Sequence, residues 1–305
     1  MTTHGILEDL ALGTGVLDHS AHERRDPRLL EALLSDPATR VIEIRDGRAP
    51  VRLEGDHGEL LLREPDPSDR AVLSAALGRG PDGRAYVAVL PSVDGELDDS
   101  WMTLRRAGGL LDRLDAGLFT TALALANWHA SHGRCSICGS PTEPVEAGWV
   151  RRCPLDGSEH YPRTDPAVIM SVVDPEDRLL LGRSPQWPTG RFSVLAGFVE
   201  PGESLEQAVA REVAEEVGIT IDEVTYLGNQ PWPFPSSVMI GFAARTSQVE
   251  LTLDPQEMAE AHWVTRDEYR AQLRSKQIHT PTGISIAKRI IEHWLGETVE
   301  AASQG

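Results

Sequence analysis

Residues 197–219, GFVEPGESLEQAVAREVAEEVGI, encode a helix with three glutamates crowded beside its buried face. Ser204 followed by Gln207 forms a capping box, so the helix is expected to start near residue 205. Gly218 falls where a left-handed C-cap is wanted. At 100° per residue Val209, Ala210, Val213, Ala214 and Val217 share one arc, the face expected to pack on a sheet. Glu212, Glu215 and Glu216 lie on the neighbouring arc, with Arg211 at its edge. Like charges three or four residues apart cost a helix about 0.2–0.5 kcal/mol per pair. Something must offset that repulsion, and a hard divalent cation, bound by carboxylates and substrate phosphates, suits the need.

The rest of the composition narrows the field. A net charge of −18 argues against broad binding to nucleic acid or anionic membrane. No basic-then-apolar leader opens the chain, and no apolar run approaches the roughly 20 residues that cross a bilayer. Three cysteines, two of them in a C-x-x-C, make no disulfide framework. They suggest a reducing compartment and a metal, so a cytoplasmic protein is expected.

Three regions can be told apart, followed by a tail at 298–305. Residues 1–131 carry short apolar or alternating runs at 40–45, 50–53, 59–63 and 85–91, separated by turn-rich stretches, and then a helical pattern at 115–131. A small, mostly antiparallel sheet follows from that pattern. The helix puts Leu118, Ala122, Leu125 and Trp128 on one face. This region shows no catalytic constellation, and a scaffold or dimerisation role is expected for it. Residues 132–161 are short, polar and cysteine-bearing. Cys135 and Cys138 form one knuckle, Cys153 and Asp156 a second about fifteen residues on, which is the layout of a zinc ribbon. Asp156 stands where a fourth cysteine would be expected, and His160 or His132 could take its place. From 162 to 297 strands and turns alternate: 167–173, 178–181 and 191–199, the acidic helix, 223–228, 237–244 and 249–253, and a short strand ending at Trp263. Helices at 266–274 and 283–295 complete an α+β fold, a mixed sheet with helices on both faces.

A second motif, Asn229-Gln-Pro-Trp-Pro-Phe-Pro-Ser-Ser237, holds three prolines, which fix φ and remove backbone donors. It is expected to be a rigid loop that presents Trp232 and Phe234 for stacking on a heterocycle, with Gln230 and Ser237 free to bond ribose or phosphate.

The segment 197–219 matches the Nudix hydrolase pattern G-x5-E-x7-R-E-U-x-E-E-x-G-U (U aliphatic) at Gly197, Glu203, Arg211, Glu212, Glu215, Glu216 and Gly218. Seven such identities coincide by chance about once in 10⁸ windows. With Gln230 to Pro235 and Ser237, the ribbon and His160-Tyr161-Pro162, the chain resembles the bacterial NADH pyrophosphatases, also described as NAD-cap removing enzymes of RNA. Asn229 departs from their usual serine. The resemblance covers about residues 132–295, and the N-terminal region only in arrangement.

It implies a Nudix fold and metal-dependent hydrolysis of NADH or NAD to NMNH or NMN plus AMP, and of the NAD cap on RNA 5′ ends. Two or three Mg²⁺ or Mn²⁺ ions are implied at Glu212, Glu216, Glu257 and the Ala196 carbonyl. Glu215 is a further ligand or the base. One structural Zn²⁺ is expected in the ribbon. Arg211 is expected to orient a carboxylate, with Glu203 as its partner. Phe198 is a candidate stacking face, Tyr161 and Ala287 correspond to substrate-contacting positions, and a homodimer is typical. The box alone also suits ADP-ribose or a dinucleoside polyphosphate. A non-catalytic nucleotide-binding regulator is the other alternative, which an intact set of glutamates disfavours.

Overall fold

Contacts divide the chain into two units, residues 11–164 with 231–236, and residues up to 10, 165–230 and from 237 onward. The computed structural model describes residues 6–7, 10–13, 15–91, 96–279, 281 and 283–304.

The first unit opens with helix α1 (Leu29–Leu33) and strands β1 (Arg40–Glu43), β2 (Arg48–Glu54), β3 (His57–Leu60), β4 (Leu73–Arg79), β5 (Ala85–Leu90) and β6 (Trp101–Thr103). They form two three-stranded sheets, β1-β5-β4 and β3-β2-β6, in which only the β1–β5 pair runs parallel among the described residues. The apolar runs at 40–45, 50–53, 59–63 and 85–91 thus become β1, β2, β3 and β5. Strand β4 was not anticipated: its Leu-Ser-Ala-Ala-Leu-Gly-Arg sequence lacks alternation, because small residues on it lie buried against neighbours. Helix α2 (Leu104–Ala107) leads to α3 (Arg113–Ser131), whose start is fixed by the Asp112 side chain accepting from Asp115 N–H. Leu118, Ala122, Leu125 and Trp128 are all buried on α3, as the periodicity requires.

The ribbon strands β7 (Glu143–Val145), β8 (Val150–Arg152) and β9 (Glu159–His160) belong to the same unit and pair antiparallel. Gly148, at φ +88°, approaches β4 so closely that a Cβ would meet Ser74 O at 2.5 Å. Trp149 Nε1 donates to Ala76 O at 2.6 Å, and the Arg24 guanidinium lies 3.6 Å from the Trp149 ring centroid. Arg151 is buried and donates to Thr142 Oγ1, Thr142 O and His129 Nδ1 at 2.6–2.9 Å. His129 therefore accepts at Nδ1 and donates from Nε2 to Gly148 O at 2.9 Å. Burial pushes its pKa down to about 4, which keeps it neutral beside the guanidinium.

The second unit is built on a six-stranded mixed sheet of β10 (Asp165–Val173), β11 (Leu179–Arg183), β12 (Leu195–Phe198), β13 (Glu223–Trp232), β14 (Ser237–Arg245) and β15 (Glu260–Val264). The order is β13-β14-β10-β11-β15, with β12 also on β10. Strand β10 reads as a continuous apolar run because both its faces are covered. Val168, Met170 and Val172 pack with Val209, Val213 and Val217 of α4 (Leu205–Val217). Ile169 and Val173 face Tyr269 of α5 (Arg266–Arg274), Ile290 of α6 (Ile286–Leu295) and Val299 of α7 (Val299–Gln304). This is the Nudix architecture of a sheet between helices.

Two details differ from expectation. Residues 249–253 make no strand: Thr252 and Asp254 donate instead to Val217 O and Glu216 O, the open carbonyls at the end of α4. The segment expected as a tail contains α7, which buries Val299 and Ala302; Gly305 lies outside the described residues. No helix among the described residues is long and apolar enough to cross a membrane.

Candidate active site and metal sites

Helix α4 is capped as its sequence demands. Ser204 Oγ accepts from Gln207 N–H, Gln207 Oε1 accepts from Ser204 N–H, and Gly218 sits at φ 73°, ψ 19°. Its buried stripe, however, is Ala208, Val209, Glu212, Val213, Glu216 and Val217, with Ala214 exposed and Ala210 half-buried. Two glutamates take the places expected of two alanines. Gly197 on β12 makes this sterically possible: a Cβ there would lie 1.9 Å from Glu212 Cδ. The invariant-looking glycine of the motif is thus the missing volume into which a carboxylate folds.

Arg211 holds the surrounding charge. Nε and Nη2 donate to the two Glu203 oxygens at 2.6 and 3.0 Å, and Nη1 to Glu212 Oε1 and Glu215 Oε2, both at 2.9 Å. Nη2 also reaches Phe198 O at 2.8 Å, so all five guanidinium donors are engaged. These carboxylates hold the Arg211 pKa above its ordinary value, the Glu203 bond most of all. Glu216 has no such support: its Oε2 is buried and, among the described residues, has no hydrogen-bond partner. Burial, then the charges of Glu212 and Glu257, push its pKa up to about 8. Burial raises Glu212 as well, against the pull of Arg211.

An open cleft of about 680 Å³ is lined by Ala196, Gly197, Phe198, Arg211, Glu212, Glu215, Glu216 and Glu257. Seven of the expected site residues therefore meet in one place: Ala196, Phe198, Arg211, Glu212, Glu215, Glu216 and Glu257. Phe198 is 60% exposed there, available as a flat face. Trp187, Gln186 and Met258 also line the cleft and escaped the sequence reading, because nothing local marks them. A buried carboxylate oxygen without a donor, in a cleft of further carboxylates, fits a hard divalent cation.

Other expected residues lie elsewhere. Gln230 was expected to be free for a ligand; it is instead fully buried, its Nε2 donating to Ile284 O (2.7 Å) and its Oε1 accepting from Ile286 N–H (2.9 Å). Its amide organises the entry to α6. The Ala287 side chain is inside the core on that helix. Ser237 opens β14, half-buried and opposite Asp165. Trp232 and Phe234 belong to the other unit, with ring centroids 4.9 Å apart and nearly edge-to-face. Tyr161, also of that unit, is exposed and donates to Glu159 Oε2 at 2.8 Å.

In the ribbon, the ligand atoms of Cys135, Cys138, Cys153 and Asp156 all lie within 4.8 Å of one another. Cys138 Sγ is 3.5 Å from Cys153 Sγ, and Cys135 Sγ is 3.4 Å from Asp156 Oδ2. A tetrahedral zinc with bonds of about 2.0–2.3 Å requires edges of this order, so the cluster fits zinc. Asp156 completes the set; His160 bonds Ser158, and His132 bonds Ser131. The Ser158 hydroxyl and amide hold the Asp156 carboxyl well below the usual carboxylate range. The same hydroxyl draws the Cys135 thiol down to about 6.

Fold and cleft define an enzyme of metal-assisted hydrolysis. The NUDIX domain model matches residues 163–282, and the NADH pyrophosphatase zinc ribbon domain model residues 130–161. The NAD-capped RNA hydrolase NudC of Mycobacterium bovis is 44% identical over 231 residues, 72% of this chain and 74% of its own. That of Mycobacterium tuberculosis gives the same figures. The NAD-capped RNA hydrolase NUDT12 of Pongo abelii is 39% identical over 197 residues, covering 61% of this chain and 43% of its own. The chain belongs to the Nudix hydrolases, in the branch that carries the NADH pyrophosphatase zinc ribbon.

Three outcomes are expected. Gly197→Ala should keep the fold, read by circular dichroism, and lose about 10²-fold in turnover, because Glu212 is displaced by more than an ångström. Parental turnover would show that the Glu212 position does not matter. Glu216 binds a proton in the metal-free fold that the unfolded chain releases between its ordinary pKa of 4.5 and about 8. Its contribution to stability is full below that window and falls as pH rises through it. Without added divalent ions, Glu216→Gln should match the parent in thermal midpoint near about pH 4.5 and exceed it increasingly up to about pH 8. Added Mn²⁺ should close the gap, and a pH-independent difference would contradict the assignment. Metal analysis of purified protein should find one zinc per chain, lowered in Asp156→Ala; absence of stoichiometric zinc would remove the ribbon's metal.

Proposed function

We propose that this protein hydrolyses the pyrophosphate bond of NADH and NAD, giving NMNH or NMN and AMP, and removes the NAD cap from RNA 5′ ends. The observation that carries the reading is the pairing of two buried, cation-seeking glutamates with an exposed aromatic face, Phe198, in one cleft. The ribbon match and the names of the relatives support the choice of substrate.

Glu212, Glu216, Glu257 and the Ala196 carbonyl would hold Mg²⁺ or Mn²⁺, which supplies charge neutralisation at the phosphates and a more acidic water. The residues do the rest. Arg211 fixes Glu212 and Glu215 in orientation and ties β12 to α4 through the Phe198 carbonyl. Glu215, whose side chain is 55% exposed, meets incoming solvent and serves as a further ligand or as the base that accepts the proton. Phe198 offers a stacking face beside the reacting phosphates, and Trp232 and Phe234 offer a second aromatic surface for a base. Gln230 takes no part at the ligand in this reading.

A net charge of −18 favours recognition of the cap over the RNA body. Three cysteines grouped as metal ligands rather than paired in disulfides suit a reducing, cytoplasmic setting. The homodimer that the resemblance implies is kept as part of the proposal.

The test is product analysis. Given NADH, ADP-ribose and a diadenosine polyphosphate in competition, with Mg²⁺ or Mn²⁺, the protein should release NMNH and AMP in preference. Glu216→Gln should lower that rate by orders of magnitude. Preference for another substrate would keep the metal cleft and overturn the substrate; no hydrolysis at all would favour a binding module.

A further inference from the structure

The aromatic loop cannot satisfy all of its own carbonyls. Pro231, Pro233 and Pro235 lack backbone donors, and Phe234 N–H donating to Trp232 O at 2.7 Å is a tight turn within the loop. Carbonyls in such a segment need donors from elsewhere. One side chain of α3 supplies two: Asn127 Nδ2 donates to Pro233 O and to Pro235 O, each at 3.0 Å. On α2, the Arg105 guanidinium carbon sits 3.9 Å from the Phe234 ring centroid and 5.0 Å from that of Trp232. Both rings remain only half-buried, so this is not the packing of a closed core. By its contacts the loop belongs with residues 11–164 rather than with the sheet whose strands β13 and β14 it joins.

We infer that Asn127 and Arg105 are positioning residues for substrate affinity: they fix the angles at which Trp232 and Phe234 meet a base. The inference rests on the reading that this loop stacks on the substrate. It gives the N-terminal region a part in specificity that its sequence did not disclose. The amide of Asn127 holds the backbone at two carbonyls, which sets the course of the loop. The cation of Arg105 then favours the ring orientation that keeps one face of Phe234 toward the guanidinium, leaving the open parts of both rings to the ligand.

The experiment is steady-state kinetics on NADH with the full chain. Asn127→Asp keeps the size of the side chain and removes both donors. It should raise KM about tenfold, equivalent to roughly 1.4 kcal/mol, and leave kcat within about twofold. Trp232→Ala should raise KM as well, and the double variant should raise it by less than the product of the two single effects, since both changes act in part through the Trp232 ring. Arg105 is exposed on its helix, so the core is intact in Arg105→Ala; this variant should raise KM, and Arg105→Lys should recover part of the loss. If Trp232→Ala raises KM while Asn127→Asp and Arg105→Ala match the parent, the positioning role is overturned and the loop's role stands. If Trp232→Ala leaves KM unchanged, the loop does not bind substrate and the inference falls with it. A loss of kcat at unchanged KM in Asn127→Asp would likewise overturn it.

Discussion

Two carboxylates held out of water on the packed face of α4 set the terms for this enzyme. A buried carboxylate that finds neither donor nor cation costs several kcal/mol, or takes up a proton instead. Glu212 is partly relieved by Arg211, while Glu216 Oε2 is not relieved by any group among the described residues. The fold supports this arrangement from both sides. Valines at 209, 213 and 217 anchor the helix to β10, and Gly197 leaves on β12 the volume that Glu212 fills. The packing thus holds the two carboxylates in a setting that fits a hard cation.

The N-terminal unit solves a different problem. Its ribbon strands are two or three residues long and bury little apolar surface, so they cannot stand by themselves. Three thiols and one carboxylate stand close enough to fit a zinc ion, which would crosslink the ribbon in place of a core. A buried arginine, Arg151, with no carboxylate partner among the described residues, then joins the ribbon to α3 through neutral acceptors, Thr142 and His129. Neutral His129 suits that role, since a second positive charge beside Arg151 would be repelled.

Local signals made the helices of the site legible. A capping box and a glycine C-cap fixed both ends of α4. Seven cleft residues were visible because the motif places most of them on one helix and the strand before it. What the chain concealed depends on partners far away in sequence. The inward turn of Glu212 is decided by an absent side chain on another strand. Gln230 looked free beside two aromatics, yet its partners are the backbone at Ile284 and Ile286. Residues 249–253 alternate like a strand, but the carbonyls that needed their N–H groups belong to the end of α4.

The same contrast explains how one fold accommodates many substrates. The carboxylates of the helix box suit the charge of phosphates rather than what the phosphates carry, and the box lies within a single unit. The choice of what is attached to the phosphates needs surfaces that the box does not own. Here residues 231–236 of the proline-rich segment group by contact with the first unit, and α2 and α3 hold them in place. Gln230 immediately precedes these residues on β13, and its buried amide pins that strand to the entry of α6. A donor-poor backbone held by an external clamp gives aromatic rings a defined angle at low entropic cost on binding. A flexible loop with the same two rings would lose that advantage each time substrate arrived.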